Sequence, residues 1–381
     1  MDYSANGDTD IKTVKKEVKE EPSLVPESQL DPRVQELLKM ISDIKTMTET
    51  IMEMEYDCEK APLGKLTTEQ IKAGYSALKK IEACIEKENY GSALVEAVNN
   101  YYTRVPHCFG MRKPPLIRDH VMLKREMELL EALGDIEVAI RVLQQGEDGD
   151  AQQKLNPLDR HYKAMKCHLE PIERQTEEFK LVETYLKNTH AATHSMYKMN
   201  IKELFSCSKE NEKENFEDVG NRMLLWHGSR LVNWYGILSQ GLKVAPPEAP
   251  VTGYMFGKGV YFADMSSKST NYCFATPARN KGLVLLCDVA LGKTKDLTKA
   301  DYKADKLPEG YHSVRGLGKI APDTKENVVR EEGFTVPLGK PKNTGLEDNK
   351  STYTLNYNEY VVYNTKQIRM KYLVEIEFDF K

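Results

Sequence analysis

The chain has 381 residues, of which 40% are hydrophobic and 29% are charged, and its formal net charge is −4. This balance is typical of a folded protein with two or three domains and excludes wholesale disorder. So small a net charge argues against a chain built as one large nucleic-acid-binding surface.

The sequence carries no signal for export or for membrane insertion. The polar amino terminus lacks the apolar core of a signal peptide, and the longest apolar runs are far too short to span a bilayer. The seven cysteines are scattered without a CxxC pair, which predicts reduced thiols rather than a disulfide framework or a zinc site. We therefore expect a soluble intracellular protein without a structural metal.

Residues 1–30 have the composition of a charged linker. Lysine and glutamate alternate, Pro22 and Pro26 interrupt the stretch, and apolar residues are too few to build a core. The VKKE and VKEE motifs would suit attachment of a small ubiquitin-like modifier at Lys15 or Lys19. A solvated linker is the simpler interpretation of the same residues.

Residues 31–145 are predicted to form an all-α bundle. Asp31 and Pro32 have the pattern of an N-cap followed by a proline in the first turn, and Thr67 with Gln70 can form a capping box. Helices that each present one apolar face and are joined by short polar loops favour a bundle. Apolar residues recur at helical spacing in four stretches, 34–51, 71–85, 94–102 and 123–143.

Residues 146–381 are predicted to form a second, β-rich domain. The acidic, turn-forming sequence GEDGD at 146–150 marks the boundary, and one helix is expected near 175–188. Since strands and helices do not alternate regularly, we expect an α+β fold with mainly antiparallel sheets rather than a doubly wound sheet. Strand patterns lie near 196–205, 223–226, 260–263, 283–291, 359–363 and 372–380.

The common nucleotide-binding motifs fail in this sequence. The segment Gly257-Lys258-Gly259 lacks the third glycine of a dinucleotide-binding loop. The segment Gly292-Lys293-Thr294 ends like a Walker A loop, but Cys287 occupies the position of that loop's first glycine. The HExxH, GxSxG and EF-hand patterns are also missing from the sequence. Standard dehydrogenase, P-loop ATPase and metalloprotease functions are therefore excluded.

A set of separated residues could nevertheless grip a flat, polar, nucleotide-like ligand. Each has an ordinary structural explanation, because a lone histidine is more often structural and tyrosines on strands usually pack. Taken together, they offer an imidazole, backbone access at glycine, hydroxyl groups, aromatic faces and a carboxylate. The set consists of His227, Gly228, Ser229, Tyr254, Tyr261, Ser269, Tyr272 and Glu359.

Three long strings in this region resemble the catalytic domain of the DNA-dependent poly(ADP-ribose) polymerases. They are LLWHGSR, APPEAPVTGYMFGKGVYFADMSSKSTNYC and LNYNEYVVYN. Upstream, APLGKLTTEQIKAGYSALKKIE and LLEALGDIEVAI resemble the regulatory helical domain of that family, and the amino terminus is most similar to its smaller nuclear, type-two branch. The resemblance implies an ADP-ribosyltransferase fold of two packed antiparallel sheets, with NAD as substrate and no metal requirement.

The resemblance also assigns roles to the candidate residues. The family's His-Tyr-Glu triad falls on His227, Tyr261 and Glu359. His227 would bind a hydroxyl of the adenosine ribose, and Glu359 would stabilise the positive charge that develops on the other ribose. Family members with an apolar residue at the glutamate position transfer single units, so Glu359 implies polymer formation.

Further residues would complete the NAD site. The backbone of Gly228 and the hydroxyl of Ser269 would satisfy the nicotinamide carboxamide. Tyr272, with Tyr261, would sandwich the pyridinium ring. Residues 241–259 would form a loop over the pocket, where Lys243 stands at a position expected to hold an arginine near the adenosine.

The helical domain would supply regulation. By resemblance, it blocks NAD until a DNA break is sensed, and Glu131 and Asp135 would lie on the helix face that confronts the NAD pocket. The implied partners are acceptor proteins, including the chain itself and chromatin proteins, and damaged DNA, and the implied location is the nucleus. Two departures from the family are the missing tryptophan-rich DNA-reading module before residue 1 and the missing Leu-Trp ending after Lys381.

Two alternatives to a self-restrained polymerase remain open from the sequence. One is a catalytically silent module that only binds NAD or poly(ADP-ribose). The other is a mono-transferase or NAD glycohydrolase, which would keep the pocket but would not elongate chains.

Overall fold

The computed structural model describes residues 26–145, 155–345 and 355–381. The possible modification sites Lys15 and Lys19, most of the predicted linker, and the predicted boundary at 146–150 lie outside the described residues. None of the described helices combines the length and the apolarity that a membrane span requires. Within the same residues, no group of three or more His, Cys, Asp or Glu side chains is arranged to hold a metal ion.

The predicted helical bundle is present, but its first helix is divided. Asp31 accepts a hydrogen bond from the Arg33 amide at 2.8 Å and caps α1, as predicted. The prediction of one helix over 34–51 is wrong, because Asp43 accepts from the amide of Lys45 and so begins a new helix. The helices are α1 Pro32–Ile41, α2 Ile44–Glu53, α3 Thr68–Glu86, α4 Ser92–Arg104 and α5 His120–Gln145.

The predicted capping box at the start of α3 is confirmed. The Gln70 amide donates to the Thr67 hydroxyl at 3.2 Å, and the Thr67 amide donates to the Gln70 side chain at 2.9 Å. The longest described helix, α5, packs against α3 on one side and against the second half of the chain on the other. Its buried residues lie on more than one face, which is the pattern of a central helix.

In residues 155–345 and 355–381, the second half of the chain is built from strands with five α-helices. The α+β prediction is confirmed, and the strands pair mostly antiparallel. The helices are α6 Pro157–Met165, α7 Glu177–Asn188, α8 Glu212–Asn215, α9 Trp234–Gln240 and α10 Ser266–Thr270. The strands are β1 Cys167–Pro171, β2 Tyr197–Lys209, β3 Arg222–Gly228, β4 Val260–Phe262, β5 Lys281–Ala290, β6 Thr294–Leu297, β7 Ser313–Gly316, β8 Gly318–Pro322, β9 Val328–Val329, β10 Thr335–Val336, β11 Pro341–Asn343, β12 Leu355–Tyr357, β13 Glu359–Val362 and β14 Ile368–Phe380.

These strands form three sheets among the described residues. The family resemblance implied two sheets, so that expectation is wrong by one sheet. The largest has the order β1-β2-β14-β5-β3-β10-β9, and a second has the order β4-β13-β7-β6. A third, smaller sheet has the order β11-β8-β12. Three pairs are parallel, namely β10 with β3, β12 with β8 and β6 with β7. The β3 and β4 strands lie next to each other through a bridge between Trp226 and Ala263, which joins the first two sheets.

One hydrophobic core runs from the helical bundle into the largest sheet. It includes Leu130 and Ile136 of α5 together with Leu285 of β5 and Leu373 of β14. One close approach is at Gly236 of α9, where an added Cβ would lie 2.5 Å from the carbonyl oxygen of Asp135. The bundle is therefore seated on the β-rich half through backbone contact as well as side chains.

This seating predicts the outcome of a pair of glycine substitutions. Gly236→Ala should destabilise the chain by about 1–3 kcal/mol, since the added methyl group overpacks the contact between α9 and α5. In contrast, Gly134→Ala, on α5 with nothing within 4 Å of its added Cβ, should be neutral or stabilising by up to about 1 kcal/mol. Thermal unfolding of both variants measures the difference, and equal Tm values would contradict the close contact.

Candidate active site

His227 lies near the end of β3 and is held by the neighbouring strand β4. Its Nδ1 is 2.9 Å from the carbonyl oxygen of Tyr261. Burial lowers the pKa of His227, while the hydrogen bond to Tyr261 acts in the opposite direction. The imidazole is therefore neutral near pH 7, donates from Nδ1 and presents Nε2 as an acceptor for a hydroxyl.

Gly228 and Ser269 are brought into direct contact. A Cβ on Gly228 would lie 1.9 Å from the carbonyl oxygen of Ser269, so only glycine lets the backbone of α10 pack here. The sequence analysis expected Gly228 to leave room for a ligand. In the structure, the space beside its Cα is filled by the backbone of Ser269. The Ser269 hydroxyl donates to the carbonyl oxygen of Trp226 at 2.9 Å. Its lone pairs remain available to accept from a carboxamide N–H group.

Tyr261 is oriented by the loop that precedes it. Its hydroxyl donates to the carbonyl oxygen of Gly257 at 2.8 Å and accepts from the amide of Phe256 at 2.9 Å. Tyr254, in the same loop, has its ring 6.3 Å from that of Tyr261 and tilted by 34°. Because both contacts of the hydroxyl are to loop backbone, the position of the Tyr261 ring depends on the shape of residues 251–257.

Glu359 is the first residue of β13 and forms an ion pair with Lys268 of α10. The Lys268 Nζ lies 3.0 Å from Glu359 Oε1, and the two side chains are only 16% and 15% exposed. Lys268 also donates to the carbonyl oxygens of Tyr357 and Asn358, at 2.9 and 3.1 Å. The β13 strand pairs with β4 so that Val361 lies opposite Tyr261. The candidate catalytic carboxylate is thus held beside the strand that carries Tyr261.

Two further candidates lie at the rim of the same region. Ser229 follows β3, and its hydroxyl accepts a hydrogen bond from the Asn233 side chain at 2.9 Å. Tyr272 lies in a 3-10 turn after α10 and is 44% exposed. Partial burial, together with the negative charge of Glu359, raises the pKa of Tyr272 to about 12, so its hydroxyl stays protonated near pH 7.

The α5 helix directs carboxylates toward Lys243 and the pocket side of the β-rich half. Burial by the surrounding protein raises the pKa of Asp135 to about 8, with a contribution from Glu131, while Lys243 acts in the opposite direction. The pKa of Glu131 is also raised, although that side chain is exposed. Glu128 of α5 lies 3.6 Å from Arg230, which follows β3. Asp135 thus lies close to Gly236 of α9 and senses the charge of Lys243, while the regulatory role of Glu131 and Asp135 stays a prediction.

Sequence reasoning missed Lys268 and Glu82. Lys268 could have been found because it stands in the small-residue stretch SSKST, directly before the candidate residue Ser269. Glu82 shares the buried stripe of α3 with Leu78 and Ile85, and a carboxylate at such a position requires polar partners.

Glu82 finds those partners in the loop over the site. Its Oε1 accepts hydrogen bonds at 2.8 Å from the amides of Val251 and Thr252 and from the Thr252 hydroxyl. Glu82 is 6% exposed. A Cβ on the neighbouring Gly253 would lie 2.5 Å from Cε of Met127 on α5. The loop is therefore held by contacts with the bundle at residues 251–253 and by hydrogen bonds to the Tyr261 hydroxyl at residues 256–257.

The raised pKa of Asp135 gives a pH-dependent prediction. Because the folded chain holds this proton more tightly than the unfolded chain, the stabilisation is complete below the ordinary pKa of 3.8 and is lost as the pH rises through about 8. Asp135→Asn is neutral at every pH, so its Tm should rise relative to the original chain across this window. Thermal unfolding at a series of pH values measures this, and a constant difference would contradict it.

The site geometry can be compared with known proteins. A family model described as "Poly(ADP-ribose) polymerase catalytic domain" matches residues 176–378, and one described as "Poly(ADP-ribose) polymerase, regulatory domain" matches residues 28–162. His227, Tyr261, Lys268 and Glu359 all fall within the first match.

Curated relatives match both halves of the chain together. The human protein named poly [ADP-ribose] polymerase 2 is 55% identical over 381 residues, which are 100% of this chain and 64% of that protein. Poly [ADP-ribose] polymerase 2 of Arabidopsis thaliana is 46% identical over 98% of this chain and 57% of its own length. Poly [ADP-ribose] polymerase 1 of Danio rerio is 44% identical over 93% of this chain and 34% of its own length. The chain thus spans less than two thirds of the length of these relatives.

Proposed function

Because this chain belongs to the poly(ADP-ribose) polymerase family, we propose that it is an NAD-dependent poly(ADP-ribosyl)transferase. It cleaves the bond between nicotinamide and ribose and builds ADP-ribose chains on acceptor proteins. The observation that carries the proposal is the Glu359 carboxylate, held 3.0 Å from Lys268 on the strand next to the one that carries Tyr261.

The chemistry needs a carboxylate in this place. When the glycosidic bond to nicotinamide breaks, the bonding electrons leave with nicotinamide and positive charge develops on the ribose. Glu359 stabilises that charge and accepts a hydrogen bond from a ribose hydroxyl. An acceptor oxygen then forms the new bond to the ribose carbon, and its proton passes to a base or to water. Nicotinamide is a good leaving group, so these steps require no metal.

The remaining candidates hold the two ends of NAD. The backbone of Gly228 and the Ser269 hydroxyl satisfy the carboxamide, and Tyr261 and Tyr272 cover the pyridinium ring. The neutral His227 accepts from a hydroxyl of the adenosine ribose. Lys243 lies near the adenosine, and Ser229 and Tyr254 are further candidates for contact with NAD.

Replacement of the carboxylate tests the role of Glu359. Glu359→Gln should lower kcat by about 10²–10³-fold and shorten the products, since one stabiliser of developing charge is lost. Glu170→Gln, on the exposed edge strand β1, serves as the control and should leave both unchanged. Labelled NAD followed by gel separation measures chain length, and unchanged ladders from Glu359→Gln would contradict the assignment.

The same assay separates polymerisation from the alternative activities. Long ladders support the proposal, a single band indicates mono-transfer, and free ADP-ribose alone indicates NAD hydrolysis. Glu359 and its ion pair with Lys268 favour the polymerase over a silent binding module, because a module that only binds NAD has no use for a carboxylate held beside the ribose.

We further propose that the helical half restrains the enzyme. The supporting contacts are the grip of Glu82 on the pocket loop, the ion pair between Glu128 and Arg230, and the α5 carboxylates near Lys243. Loosening of the helices would release the loop and shift the chain toward an NAD-accessible state. By the family resemblance, the trigger is damaged DNA, the setting is the nuclear DNA-damage response, and the acceptors include the chain itself and chromatin proteins.

Glu82 gives a direct test of this restraint. Hydrogen bonds to a charged group contribute about 1.5–3 kcal/mol each, so Glu82→Ala should raise basal NAD turnover by about tenfold or more. Glu86→Ala, at the exposed end of α3, is the matched control. Turnover without DNA, together with hydrogen exchange of residues 246–257, measures the effect. Unchanged exchange in Glu82→Ala would show that the loop does not depend on this contact.

The DNA dependence has its own experiment. Turnover of NAD with and without nicked, 5′-phosphorylated DNA should show whether this chain responds to a break. A response supports regulation through the helical half, whereas equal turnover that Glu82→Ala nonetheless raises would assign the trigger to a separate part of a longer protein.

A further inference from the structure

Asp264 is a buried carboxylate that the proposed chemistry leaves without a role. It lies two residues after the end of β4 and is 2% exposed. Its Oδ2 accepts hydrogen bonds from the Asn358 side chain at 2.8 Å and from the Tyr360 hydroxyl at 3.0 Å. Its Oδ1 has no hydrogen-bond partner among the described residues. A buried carboxylate with an unpartnered oxygen is costly, so its retention calls for an explanation.

The two donors to Asp264 are the residues on either side of Glu359. Asn358 and Tyr360 are 7% and 4% exposed, whereas the Glu359 side chain is 15% exposed. Since side chains alternate along a strand, Tyr360 points to the face opposite Glu359, and the Asn358 side chain lies 3.5 Å from the Tyr360 hydroxyl. One oxygen of Asp264 therefore binds the side chains on both sides of Glu359. A shift or rotation of Glu359 would disturb one of these hydrogen bonds.

Lys268 contacts the same segment of the chain. It contacts Glu359 Oε1 and the carbonyl oxygens of Tyr357 and Asn358. Burial raises the pKa of Asp264, and the hydrogen bonds from Asn358 and Tyr360 and the charge of Lys268 oppose that rise. One cation is thus shared by two carboxylates. Both carboxylates attract Lys268, so the position of its ammonium group depends on both of them.

We propose that Asp264 is a positioning residue that holds Glu359 in its reactive place. This inference rests on the transferase function proposed above and extends it to a residue that acts through Glu359 rather than on substrate. A displacement of about 1 Å in a reacting group can lower a rate by about 10²-fold. Loss of Asp264 should therefore lower kcat, with little effect on the nicotinamide site at Gly228 and Ser269.

The first test uses two variants that alter different parts of the arrangement. Asp264→Asn removes the charge and keeps the shape, since its amide oxygen can still accept from Asn358 and Tyr360. Tyr360→Phe keeps the carboxylate and removes one of the two hydrogen bonds that Asp264 Oδ2 accepts. Each should lower kcat by roughly ten- to a hundredfold and shorten the products, while the Tm shift caused by nicotinamide stays within error of the original chain.

A matched control comes from Asp288, another buried carboxylate of the β-rich half. It pairs with Arg222 and, at 2.8 Å, with Arg369. Asp288→Asn should lower Tm without changing chain length, because its partners lie away from Glu359. If the Asp264 variants showed this same pattern, a purely structural role would replace the proposed one.

A double-mutant cycle decides between positioning and general support. If Asp264 acts through Glu359, Asp264→Asn should cost nothing more in a Glu359→Gln background, measured as residual NAD cleavage. Equal losses in both backgrounds would overturn the inference, as would wild-type kcat and ladders from both Asp264→Asn and Tyr360→Phe. If the unaltered chain makes no ADP-ribose product, the proposed function itself fails, and the inference falls with it.

Discussion

The ion pair between Lys268 and Glu359 is the contact on which the candidate site depends. It joins the short helix α10 to the start of β13, and these elements come from distant parts of the sequence. The same α10 helix packs its Ser269 backbone against Gly228. One five-residue helix therefore contacts both the proposed carboxamide site and the carboxylate that is proposed to be catalytic. Few of these contacts could move independently, which is what a preorganised site requires.

The loop over the site couples this chemistry to the helical half. Glu82 holds residues 251–252, and the Tyr261 hydroxyl holds residues 256–257, so the two grips are only a few residues apart. Any movement of α3 is therefore transmitted to the ring that is proposed to cover nicotinamide. The shared core and the contact of Gly236 with Asp135 also mean that the bundle is not a detachable appendage. Restraint by local helix stability fits this construction.

Local chemistry explains where the sequence succeeded and where it failed on the fold. The caps at Asp31 and Thr67 and the α+β pattern were readable, because capping and periodicity depend on nearby residues. The division of the first helix at Asp43 was missed, since apolar spacing continues across a break that one capping side chain creates. The number of sheets was also missed, because strand pairing such as β10 with β3 joins residues far apart in the chain.

The sequence by itself determined the family, the α+β class and the identities of the candidate residues, because long strings such as LLWHGSR and LNYNEYVVYN carry that information directly. Only the tertiary structure decided what surrounds those residues. Nothing in the strings SSKST and KKIEACIE marks the lysine or the glutamate as special. Their roles become visible only because folding places Lys268 against Glu359 and Glu82 against the loop. Burial and long-range contact, which give those charges their partners, have no short-range signature in a chain.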